Sequence, residues 1–191
     1  MRTTRIKQRE FKNSVAHSWA LFALGGVSLL TGLWALFAPT AALTSGHLFF
    51  ILSIILIGVL HYVYMRVTRT DVYEWSWGIA AAIFGVIIGL VMTSKECTQW
   101  NILSFYLAIW GFVQFFIMLT IISVIKNRKF VNWIIILVCA IAGLALSTTL
   151  IVNPIIASSK FIVSSLFIIY AMPHFYYAIQ VNRVQVNISN N

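Results

Sequence analysis

Charged residues leave long gaps along this chain. Six stretches free of Asp, Glu, Lys and Arg, at 17–38, 48–65, 75–93, 101–125, 130–152 and 161–181, meet or approach the roughly 20 apolar residues that a helix needs to cross a bilayer core about 30 Å thick. Transmembrane strands alternate over about ten residues, whereas these runs are longer and uniformly apolar, so the pattern predicts helices. The expected fold class is an all-α integral membrane protein with six transmembrane helices. Residues 1–16 form a basic N-terminal segment, 17–181 the membrane domain and 182–191 a tail.

Composition strengthens this reading. Of 191 residues 61% are hydrophobic and 9% charged, and the mean hydropathy of +0.93 lies far outside the mix of a soluble domain. The formal charge of +9 raises nucleic acid as a partner until the basic residues are placed. Arg2, Arg5, Lys7, Arg9 and Lys12 precede the first helix, Arg66 and Arg69 follow the second, Lys126, Arg128 and Lys129 follow the fourth, and Arg183 follows the sixth. The alternate connections, 39–47, 94–100 and 153–160, carry only Lys95 and Lys160. This is the positive-inside pattern of a multi-pass protein with both termini cytoplasmic. No basic groove interleaved with aromatics accompanies it, so the bilayer, not nucleic acid, is the expected partner.

Tryptophans mark the same interfaces: Trp19, Trp75, Trp77 and Trp133 near cytoplasmic helix ends, Trp34 and Trp100 near outer ends, and only Trp110 well inside a span. APTAAL at 38–43 loosely suits a signal-peptide cleavage site, but the apolar run of about 22 residues before it exceeds the 7–15 of a signal h-region. Cleavage is therefore not expected.

The chain repeats internally. LTGLWAL (30–36), IIGLVMT (87–93) and IAGLALS (141–147) each place Gly-Leu alike in an odd-numbered helix, with the glycines 57 and 54 residues apart. Four residues earlier stands another small side chain, giving the pairs Ser28/Gly32, Gly85/Gly89 and Cys139/Gly143. In lipid, small residues one turn apart let helix backbones approach closely, and Gly85/Gly89 can serve self-association into a homo-oligomer or packing within one chain. The even-numbered helices repeat as GVLHYVYM (58–65), GFVQFFIM (111–118) and AMPHFYYA (171–178). His61, Gln114 and His174 are equivalent, each the fourteenth residue of its span, about 20 Å down at 1.5 Å per residue. The unit is a two-helix hairpin, at 17–65, 75–125 and 130–181. Each hairpin returns the chain to its starting side, so the three are parallel and can surround a pseudo-threefold axis along the membrane normal. His61, Gln114 and His174 could then converge into one polar layer.

These features resemble the HdeD family of acid-resistance membrane proteins. The resemblance covers about 17–181 and rests on aromatic-led first helices carrying a glycine, on Pro39 seven residues after Gly32 in the first outer turn, and on second helices with a small residue before a polar one. It implies a six-helix bacterial inner-membrane protein linked to survival at low pH, and it brings no catalytic residues. The sequence departs from the first unit's pattern in the others: Glu96 takes the place equivalent to Pro39, and Pro154 lies eleven residues past Gly143.

Two readings of the polar layer stand side by side. Buried Gln and neutral His cross-link membrane helices through hydrogen bonds worth about 0.6 to 2 kcal/mol; alternatively, imidazoles with an ordinary pKa near 6.5 serve as pH sensors or proton-handling groups. Burial disfavours the imidazolium, and no Asp or Glu occurs in a span to hold it. Glu74 beside Trp75 and Trp77 is read as an anchor at a helix start, Asp71 as solvated near Arg69, Lys160 as snorkelling to outer headgroups, and His47 as solvated rather than a metal ligand. Asn187 and Ser189 match a glycosylation sequon within a tail expected on the cytoplasmic side. Cys97 and Cys139 lie at different depths, which disfavours a disulfide, and neither has metal-site spacing. With no nucleophile–base pair, carboxylate pair or metal cluster at a usable spacing, and no cofactor or metal implied, the chain is expected to be non-enzymatic. It supports acid-stress tolerance on this reading, with a small transporter or channel for protons or a weak acid or base as the alternative.

Overall fold

The computed structural model describes residues 17–68, 72–126, 132–155 and 159–189, and within them gives no side-chain placement for a few, including Glu74, Trp75, Lys95, Glu96 and those after Arg183. The basic N-terminal segment, Arg69, Asp71, Arg128 and Lys129 lie outside the described residues, as do the side chains of Asn187 and Ser189. Among the described residues every regular element is helical: α1 (Ser18–Phe37), α2 (Thr40–Ser45), α3 (His47–Thr68), α4 (Val72–Val91), a 3-10 turn (Lys95–Thr98), α5 (Trp100–Lys126), α6 (Trp133–Val152) and α7 (Ser159–Ser189).

Local chemistry sets the ends. Pro39 pushes the residue before it out of the α region, and Ala38 is extended at φ −63°, ψ 138°, so α1 stops at Phe37. At the start of α6, Asn132 Oδ1 accepts from the Ile134 backbone N–H at 3.1 Å, the usual service of an N-cap. Two features depart from the sequence expectation. The first outer connection contains the short helix α2, and α7 runs on to Ser189 through the segment read as a tail. After Pro173 the chain has no Gly or Pro to stop it.

Five helices are long and apolar enough to span a bilayer: α1, α3, α5, α6 and α7. The described apolar part of α4, Ser76–Val91, is shorter. Large apolar side chains face outward at helical spacing, as with Leu52, Leu56 and Val59 on α3, Ile83, Ile87 and Leu90 on α4, and Ile134, Val138 and Ile141 on α6. A soluble monomer rarely exposes such continuous apolar surface, whereas a lipid-facing bundle must. The protein is therefore a multi-pass helical membrane protein.

The helices close into a ring in the order α1, α3, α4, α5, α6, α7 and back to α1, with α5 also touching α7 across the middle. The tightest pairings are α1 with α7, α3 with α4 and α5 with α6, and glycines permit them. A Cβ added at Gly32 would stand 2.9 Å from the Ser164 carbonyl oxygen of α7, one at Gly58 2.9 Å from the Ala82 carbonyl oxygen of α4, and one at Gly89 2.6 Å from Ile55 of α3. At Gly143 it would collide with the Phe115 ring of α5. Gly85 and Gly89 are buried against α3, so of the two roles open to them from sequence, they pack within the chain. Hydroxyls staple the same seams: Ser28 Oγ donates to the Phe167 carbonyl at 2.9 Å and Ser164 Oγ to the Gly32 carbonyl at 2.7 Å, both joining α1 to α7. Cys139 is buried on α6.

Candidate functional site

The interior is filled mainly by aromatic rings from α3, α5 and α7. Trp110 stacks on Phe167 at 5.0 Å and meets Tyr170 edge-on at 5.2 Å, Phe50 lies 6.1 Å from Phe167, and Phe115 lies 5.9 Å from Tyr170. All five are fully buried. Phe50 stands eleven residues before His61 on α3, so this aromatic plug occupies the part of the bundle between the polar positions and the 39–47 connection.

On the other side of the plug lies a cavity of about 70 Å³, lined by His61 of α3, Gln114 of α5 and His174 of α7 together with Tyr170. Its remaining wall runs through Tyr64 and Met65, Ile121 and Ile125, and Tyr177 toward the helix ends that carry Arg66, Lys126 and Arg183. Leu21, Gly78 and Ile136, near the starts of α1, α4 and α6, complete it. The three polar residues aligned from the sequence thus share one cavity, although they sit on three different helices more than fifty residues apart in sequence.

Their bonding differs. Gln114 is 3% exposed and satisfied at both ends: Nε2 donates to the Ala81 carbonyl of α4 at 3.0 Å, and Oε1 accepts from the Tyr170 hydroxyl at 3.3 Å. His174 Nδ1 lies 2.7 Å from the Tyr170 carbonyl; a carbonyl can only accept, so Nδ1 carries the proton and, in the neutral ring, Nε2 is left as an acceptor. This bond lies one turn back along α7, next to Pro173, which has no N–H to give the helix. His61 makes no hydrogen bond among the described residues, and its Nδ1 is buried without a partner. Its ring meets that of His174 edge-on, centroids 6.1 Å apart.

Tyr170 is the member that sequence reasoning missed. It joins the layer twice, through its carbonyl to His174 and through its hydroxyl to Gln114. The available signal was its position four residues before His174, on the same helix face. Trp110 Nε1 and Ser147 Oγ are also buried without partners, but neither lines the cavity.

Elsewhere, Lys160 does not reach away from the bundle: its Nζ donates to the Ala38 carbonyl, tying the start of α7 to the broken end of α1. Lys126 lies 5.2 Å over the Trp133 ring. Cys97 is buried with its sulfur 3.5 Å from Ser94 Oγ. Among the described residues no three His, Cys, Asp or Glu side chains gather as metal ligands.

The arrangement can hold and orient a proton or a small hydrogen-bonding molecule in an apolar chamber, and the aromatic plug closes that chamber at one end. No protein-family model, curated protein or solved structure matches the chain.

Proposed function

We propose that the chain is a six-span bacterial plasma-membrane protein of the HdeD-like type, with both termini cytoplasmic, that supports survival of acid stress by responding to protonation and catalyses no reaction. On this reading α4 is the remaining span, and the three hairpins are repeats about a pseudo-threefold axis. The packing supports that: the tightest pairs, α1 with α7, α3 with α4 and α5 with α6, exchange under such an axis, and Gly32, Gly89 and Gly143 each face the second long helix of the preceding hairpin, α7, α3 and α5 respectively.

One observation carries the functional part. If the layer were only glue between helices, each member would be hydrogen-bonded, because an unpaired buried polar group costs about 1–3 kcal/mol. His61 is not bonded, yet it faces a second imidazole in an open chamber. A ring that contributes no bond to the fold and can gain a proton fits a sensor. The closed plug favours this over the alternative, a conduit for protons or a weak acid or base, which needs a polar path through the outer half.

The test is survival of acid challenge by cells lacking the protein, complemented with wild type or with the His61→Asn/His174→Asn double variant at equal membrane abundance. The double variant is expected to remain abundant and fail to protect. Full protection by it removes the imidazoles from the mechanism.

A further inference from the structure

We propose that the cavity binds one small monocarboxylic acid in its undissociated form, of the size of formic or acetic acid, beside the His61 and His174 rings.

Size comes first. An engineered apolar cavity of about 150 Å³ takes benzene, six heavy atoms. By that scale the present volume of about 70 Å³ encloses roughly three heavy atoms, and its open side leaves room for a methyl beyond them. Drug-sized and aromatic ligands are too large.

Polarity comes second. The His174 ring donates from Nδ1 to the Tyr170 carbonyl, which leaves Nε2 as an acceptor. At His61 the enclosed, partnerless nitrogen is Nδ1. A bare acceptor there costs less than an orphaned N–H, since orphaned donors are the rarer defect in proteins, so the proton belongs on Nε2. Neither Nε2 has a protein partner among the described residues, and both rings line the cavity. The two rings therefore offer one donor and one acceptor. A carboxylic acid carries the complementary pair on a single carbon: its carbonyl accepts from His61 and its hydroxyl donates to His174. The aliphatic wall of Ile117, Met118 and Leu21 suits a hydrogen or methyl behind that head.

Charge comes third. Among the described residues the titratable groups around the cavity are His61 and Tyr64 from α3 and Tyr170, His174 and Tyr177 from α7; the described side chains of α1, α4, α5 and α6 contribute none, and no described Lys, Arg, Asp or Glu lines it. While the two imidazoles are neutral, a carboxylate would enter the apolar chamber without a counter-charge among the described residues. Only the neutral acid fits, and it is the form that partitions into a bilayer when the medium is acidic. The inference rests on the acid-response reading above and gives it a ligand.

The experiment uses the full-length protein labelled with ¹⁵N-histidine in lipid nanodiscs, with ring nitrogens followed by NMR. At one acidic pH, formic and acetic acid are titrated against matched sodium chloride, with benzoic acid as the oversized comparison. Saturable shifts of both rings by the small acids are expected, with benzoic acid at least about tenfold weaker, since it exceeds the cavity volume by roughly threefold. His61→Phe is expected to weaken acetic acid roughly five- to tenfold, the value of one hydrogen bond. The size series on the wild type decides the matter even if that variant misfolds. Equal shifts by acetate at neutral pH, where the anion prevails, overturn the proposal. So does the absence of any acid-specific shift: if the rings still respond to pH, the ligand falls and the protonation reading stands, and if they respond to neither, both fall.

Discussion

Gln114 offers the sharpest test of how the layer is held. Gln114→Leu keeps the side-chain volume close to native but deletes two bonds, from Nε2 to the Ala81 carbonyl at 3.0 Å and from the Tyr170 hydroxyl to Oε1 at 3.3 Å. The two losses are unequal. Ala81 lies inside α4, so its carbonyl keeps its helical partner and loses only a second donor. The Tyr170 hydroxyl loses its acceptor while 1% exposed, and an orphaned buried hydroxyl costs about 1–3 kcal/mol. Adding a membrane hydrogen bond of about 0.6 kcal/mol for Ala81, Gln114→Leu is expected to cost about 2–4 kcal/mol. Tyr170→Phe removes the hydroxyl itself and leaves Gln114 its bond to Ala81 but Oε1 without a donor; an unpaired acceptor is the milder defect, and the variant is expected to cost about 1 kcal/mol. In the double variant no orphan remains, so its loss is expected to fall below the sum of the singles by about 1–2 kcal/mol. Reversible unfolding in mixed micelles of lipid and denaturing detergent measures all four corners of the cycle. Strict additivity would show that the contact between Tyr170 and Gln114 carries no coupling, and the account of the layer as a bonded unit would be wrong.

The remaining predictions rest on separate contacts. Gly143→Ala drives a Cβ into the buried Phe115 ring and is expected to cost about 1–3 kcal/mol, whereas a Cβ at Gly85 meets its neighbours at 3.5–3.7 Å and Gly85→Ala is expected to change stability by less than about 1 kcal/mol; similar losses in the same unfolding assay refute the packing argument. His61→Leu removes a ring without hydrogen bonds and is expected to leave stability within about 1 kcal/mol of wild type, while protection of cells from acid is lost; a large loss of stability shows the ring to be structural. In liposomes holding a pH-sensitive dye, wild type is expected to add no proton leak, and Trp110→Ala, which opens the aromatic plug, is expected to add one at about 3–5 kcal/mol of lost stability. Conduction by wild type refutes the closed plug.

Much of this architecture was legible because a bilayer imposes a length on every span and leaves the apolar runs uninterrupted. The positions of His61, Gln114 and His174 could be aligned because each lies three residues after a small one, Gly58, Gly111 or Ala171. Partner choice between helices was not legible. All six runs are apolar on every side, and within lipid the hydrophobic effect does not favour one neighbour over another. The pairing of α1 with α7, separated by most of the chain, therefore depends on local fits such as Gly32 against Ser164. Lys160 was misjudged for a related reason. Its expected course toward headgroups ignored the Ala38 carbonyl, which Pro39 leaves at a broken helix end with few donors.

The three polar positions differ in a way that packing alone does not account for. Gln114 is bonded on both sides, His174 on one and His61 on neither. A fold selected only for stability would have little use for the third state, because an apolar side chain of the same volume removes the cost of the orphaned nitrogen. The imidazole persists where the wall of the chamber runs toward the basic helix ends and where Tyr170, with Trp110 packed against its ring, closes the other end. Access from one side with a titratable ring at the bottom suits reporting on what enters that side; transport through the membrane would require the plug to open. Tyr170 joins both functions of the site, since the residue that closes the chamber also orients His174 and bonds Gln114. A proton or small acid arriving at His61 and His174 therefore acts directly on the contacts that hold α5 to α7, and the response of the protein is expected to appear there first.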